Sequence, residues 1–121
     1  MTIRKLEEAF TVCKVRDFVQ VDWGGAFCFT GKTDEECSLV CETTRVPANV
    51  LVREDGWRAF RVEGTLDFSM VGVLAGISAL LAERGISIFA VSTCNTDYII
   101  VREAQFSPAL EVLACVGYTV S

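Results

Sequence analysis

Histidine is absent from this chain. With it go the Cys-His and Ser-His catalytic pairs and most zinc sites, which need an imidazole as base or ligand. No Cys-x-x-Cys spacing occurs; the nearest pair, Cys37 and Cys41, would lie on one face of a strand about 13 Å apart, too far for a bridge. No run reaches about 18 consecutive apolar residues, and the stretch from Met1 to Glu8 lacks the apolar core of a signal peptide. A cytoplasmic location is therefore expected. The eleven basic residues are scattered against sixteen acidic ones, for a net charge of −5. Nucleic acid or an anionic membrane would need a concentrated basic face, so neither is expected as a partner. These absences leave no catalytic residue, no metal and no cofactor to assign.

What is present describes a packed globular protein, with 51% hydrophobic and 22% charged residues. At 121 residues the chain is one ordinary domain or two small ones. A chain this short exposes a large share of its surface unless it pairs, so a homodimer is expected. Cys13, Cys28, Cys37, Cys41, Cys94 and Cys115 sit within or beside apolar runs and read as buried free thiols.

The second half has the clearer pattern. Trp57 to Glu63 alternates as a strand. A helical stripe follows at Val73, Leu74, Ile77, Leu80 and Leu81, with Asp67 or Ser69 as N-cap and Gly85 as the stop. Ile86–Thr93 and Tyr98–Val101 read as strands joined by Cys94-Asn95-Thr96-Asp97. Ser107 as N-cap with Pro108 at the first helical position predicts a second helix that stops at Gly117, before a last strand at 118–120. The order is βαββαβ, the ferredoxin-like α+β arrangement, an antiparallel sheet with both helices on one face. The first half resembles a shortened copy, with strands at Phe10–Val15, 26–30 and 38–42, room for a turn or two of helix between Asp17 and Gly25, and a counterpart of the second helix at 47–52. The domain expectation is an abbreviated unit over 1–56 and a complete one over 57–121, packed as one body.

Three segments carry a family resemblance: 62–68, Val71-Gly72-Val73-Leu74, and Gly85 through Arg102 with its Ser92-Thr93-Cys94-Asn95-Thr96-Asp97 motif. They resemble small bacterial tandem ACT-domain proteins, which are related to the ACT domains of animal cytosolic arginine sensors and of aspartate kinases. The segment 33–41 resembles the abbreviated first ACT unit of that family. The resemblance implies two ACT-like units, no catalysis, and a free amino acid or similar small carboxylate bound between units. It places Ser69, Met70, Val71, Gly72, Val73, Thr93, Cys94 and Asp97 at the ligand. The arginine sensors carry acidic residues where this chain has Ser69 and Met70, so arginine is not assigned, and neutral and cationic ligands both stay open.

Read physically, amides at a helix start suit a carboxylate, and Asp97 suits an ammonium. Each residue also has a plainer role: Gly72 for helix packing, Asp97 for closing a turn, Ser69 for capping. The alternative function is a protein-interaction module with no small ligand, using strand edges, Trp23 and Trp57. An RNA-binding variant of the sheet would need basic residues beside Phe60, Phe89 and Tyr98, and these are sparse.

Overall fold

The computed structural model describes residues 1–63 and 72–121. The described residues form eight strands and two α-helices: β1 (Thr2–Lys5), β2 (Phe10–Val15), β3 (Cys28–Lys32), β4 (Cys37–Glu42), β5 (Val50–Val62), α1 (Val73–Glu83), β6 (Phe89–Ser92), β7 (Asp97–Arg102), α2 (Glu103–Cys115) and β8 (Thr119–Val120). A 3-10 turn, Thr43–Arg45, follows β4. Two compact units result, one of Met1–Glu7 with Arg58–Ser121 and one of Glu8–Trp57. The first strand thus clusters with the carboxy-terminal residues, which the sequence pattern had not marked.

In the carboxy-terminal unit the elements from the second half of β5 onward run βαββαβ. β5 pairs with β7 and β7 with β6. On its other side β5 pairs antiparallel with β1, Ile3 opposite Val62, and β1 pairs parallel with β8, Ile3 opposite Val120. The amino-terminal strand is therefore inserted between the first and last strands of the repeat. Its reason is apolar: Ile3 is fully buried in one cluster with Phe60, Val62, Ile77, Leu81 and Leu113. On α1 the residues sealed in that cluster are Ile77 and Leu81, while Leu80 is only half-buried beside it.

Both helices end in the same hydrogen-bonded turn. The Ile86 amide donates to the Leu81 carbonyl at 3.0 Å and the Gly85 amide to Ala82 at 3.0 Å; Tyr118 and Gly117 repeat this on Leu113 and Ala114 at 3.1 and 3.2 Å. This is the Schellman pattern, which needs a left-handed residue after the cap. Gly85 supplies it at φ 69°, and Ile86 then drops into the core at 6% exposure. That inward turn is why β6 starts at Phe89 and not at Ile86.

Helix starts differ from expectation. α2 begins at Glu103 with Arg102 as N-cap, and Pro108 lies inside it. The proline forfeits one amide bond there, but Phe106, Ala109 and Leu113 are buried from this helix and hold its first turns in place. α1 is capped by Gly72 at φ 86° with no side-chain cap; Asp67 and Ser69, expected as caps, lie outside the described residues.

The amino-terminal unit has strand order β3-β4-β2-β5. The 17–25 segment holds no helix. Its turns are closed by Asp17, which accepts the Val19 amide at 3.1 Å, and by Asp22, which accepts the Gly24 amide at 2.9 Å. Residues expected to mirror the second helix instead open β5 at Val50, because that stretch pairs with β2 from Val15↔Val50 to Phe10↔Trp57. Pairing shifts by one residue opposite Thr11, a β-bulge. At the bulge the buried Thr11 hydroxyl donates to Asp55 Oδ1 at 2.6 Å, and Arg53 Nη2 donates to the same oxygen at 2.9 Å. The Thr11 bond, then Arg53, holds the Asp55 carboxyl below its ordinary pKa.

Candidate ligand-binding site

The β6–β7 hairpin is a small hydrogen-bonded frame. Ser92 stands opposite Asp97 in register, and its hydroxyl donates to Asp97 Oδ1 at 2.7 Å. The Thr93 amide and hydroxyl both donate to the Thr96 carbonyl, at 2.9 and 3.0 Å. Thr96 is buried and its hydroxyl donates to the Val62 carbonyl at 2.7 Å, which fixes the hairpin to the end of β5. A hydroxyl this enclosed stays only with a partner.

α1 precedes this hairpin in the chain. The helix finishes at Glu83, and β6 starts at Phe89 and runs to Ser92 at the hairpin, so β6 leads back from the helix's last turn toward the level of its first. The amides of Val73, Leu74 and Ala75 open the helix with no side-chain cap and carry the positive end of its dipole. Gly72 meets nothing within 4 Å where a Cβ would stand; its positive φ, not crowding, calls for glycine.

Of the residues expected at the ligand, Ser69, Met70 and Val71 lie outside the described residues. Gly72 is exposed at the helix start, and Val73 is half-buried and packs on the core. Thr93 and Cys94 are exposed at the hairpin tip, and Asp97 is half-buried at the head of β7. Two residues of the frame were read as part of the hairpin motif but not placed at the ligand: Ser92, which orients Asp97, and Thr96, which anchors the turn. Pairing the two strands around a four-residue turn would have set Ser92 against Asp97.

A groove of about 560 Å³ lies elsewhere, along Ser78, Ala79 and Ala82 of α1 and residues 85–88. The cysteines divide. Cys13 and Cys41 are buried, while Cys94 and Cys115 are exposed, contrary to the expectation of six buried thiols. Desolvation pushes the Cys13 thiol up and that of Cys41 up to about 12, which makes both poor nucleophiles. Among the described residues no three or more Cys, Asp or Glu side chains are grouped to hold a metal ion, and no helix is long and apolar enough to cross a membrane.

A profile of the ACT-domain family matches residues 52–115, more than half of the chain. The chain belongs to the ACT-domain family. It is similar over 99% of its length to a solved protein of Agobacterium tumefaciens, with 27% identity, 91% of that chain covered and a TM-score of 0.87. It is also similar to a Vibrio cholerae protein of unknown function described as a possible transport protein, with 18% identity, 93% of this chain and 86% of that one covered, and a TM-score of 0.69. Aspartate kinase of Clostridium acetobutylicum shares the fold at 13% identity and a TM-score of 0.67, over 88% of this chain and 32% of the kinase. No curated protein matches the sequence. The βαββαβ unit is thus a ferredoxin-like ACT fold.

Proposed function

We propose that this ACT protein is a noncatalytic cytoplasmic regulator that binds a free amino acid or a similar small carboxylate and works as a homodimer. The observation that carries the reading is Asp97, held by Ser92 at 2.7 Å in a hairpin locked to β5, together with an α1 that opens without a side-chain cap. A ligand carboxylate would meet the helix-start amides and an ammonium would meet Asp97. The dimer reading rests on β6. That strand pairs with β7, carries no charge from Phe89 to Ser92, and so has none of the charged side chains that usually guard a sheet edge.

Thermal unfolding of the protein against each of the twenty amino acids at millimolar concentration tests the ligand. A ligand at about 100 times its Kd stabilises by about 2.7 kcal/mol, a shift of several degrees for a domain of this size. One amino acid, or one chemical group of them, is expected to raise the Tm, and Asp97→Ala is expected to abolish the rise while still folding. A flat panel would favour the second reading, a protein-interaction module, for which Trp23 at 60% exposure would be the anchor.

A further inference from the structure

We propose that the groove between the Gly85 turn and α2 is a second, separate site, for a small zwitterion with an apolar side chain, the chemistry of a free aliphatic amino acid. The groove is open to solvent and has a volume of about 440 Å³, within the roughly 300–1,000 Å³ of small-ligand pockets. One wall is the end of α1, where the Schellman turn fixes Arg84 and Ile86. The other is a single face of α2, from Gln105 through Pro108, Glu111 and Val112 to Cys115.

Both walls are held. The turn at the end of α1 is set by its backbone bonds, and the Gln105 side-chain amide donates to the Gly85 carbonyl at 3.4 Å, tying helix to turn. Ile86 is buried in the core and Val112 packs partly against it; with Pro108 they give the groove an apolar floor. Arg84 and Glu111 are exposed above it. Neither forms an ion pair among the described residues, so a cation and an anion stand on one groove without neutralising each other. A zwitterion answers both charges, its carboxylate on the Arg84 guanidinium and its ammonium on Glu111, while its side chain covers the floor. A ligand with one charge would leave the other group unanswered.

This site does not depend on the hairpin reading, and the two can be told apart because each carries its own exposed thiol, Cys115 in the groove and Cys94 in the hairpin. The test is timed iodoacetamide labelling of the full chain, read by mass spectrometry for each cysteine. It is run without ligand, with leucine, with 4-methylpentanoate, which lacks the ammonium, and with 3-methylbutylamine, which lacks the carboxylate. Leucine is expected to slow Cys115 labelling several-fold and saturably, and each single-charge analogue to protect about fivefold less well. Arg84→Gln and Glu111→Gln are each expected to weaken the protection by leucine about fivefold while leaving Cys94 labelling and the urea midpoint of the free protein unchanged. Equal protection by the analogues, protection undiminished in both variants, or no protection of Cys115 would overturn the proposal. Protection at Cys94 alone would overturn it and leave the hairpin reading standing.

Discussion

Asp55 shows how a single side chain is set by its neighbours. Its carboxylate accepts from the buried Thr11 hydroxyl and from Arg53, and both favour the charged form, so its folded pKa is depressed. A carboxyl depressed on folding stabilises the fold above its unfolded pKa of about 3.9, and that contribution is lost as pH falls through the lower folded value. Urea midpoints measured across pH 7 to 2 are therefore expected to fall below about pH 4, and Thr11→Val is expected to flatten that fall by removing the largest cause of the shift. An unchanged slope in Thr11→Val would show that other carboxylates dominate. The sequence marks Asp55 only as one residue of a charged stretch before Gly56. Its role was not legible there because Thr11 reaches it from 44 positions away.

Elements whose signal is local were read correctly and those that depend on distant partners were not. The β6–β7 hairpin carries Thr and Asn between two β-branched runs, and the structure has the turn there. Gly85 and Gly117 were expected to stop the helices, and each sits one residue past a helix cap. β1 is four residues long, too short to show periodicity. It exists because Ile3 fits between Val62 and Val120. Replacing Ile3 with Ala is expected to cost about 2–5 kcal/mol, the range for emptying a fully buried aliphatic site. Denaturant unfolding measures this, and a loss under about 1 kcal/mol would mean that the strand contributes little to the core. Pro108 misled for the opposite reason. A proline is a strong local start signal, but burial of Phe106 begins the helix before it.

At the scale of the whole molecule, charge and edges decide association. The region from Gly85 to Asn95 contains no charged residue, and it includes β6 and the partly exposed Phe89. Sedimentation of the unliganded protein is expected to show a dimer, and Ala90→Lys, which puts a charge on this exposed strand, is expected to shift it toward monomer without changing its spectrum of secondary structure. A wild-type monomer across the micromolar range would remove the dimer from the proposed function.

The sequence by itself determined the class of the molecule and the kind of chemistry open to it. A chain with βαββαβ periodicity is expected to take a ferredoxin-like frame, and one without histidine or basic clusters offers no imidazole chemistry and no basic face for nucleic acid, because composition and period are properties of neighbouring residues. Only the tertiary structure decided that β1 enters the carboxy-terminal unit, that β5 continues from Val50 to Val62, that Ser92 holds Asp97, and that Arg84 and Glu111 share one groove. These depend on residues far apart in the chain meeting across strands and helix faces, where burial and hydrogen-bond partners, not local propensity, set the free energy.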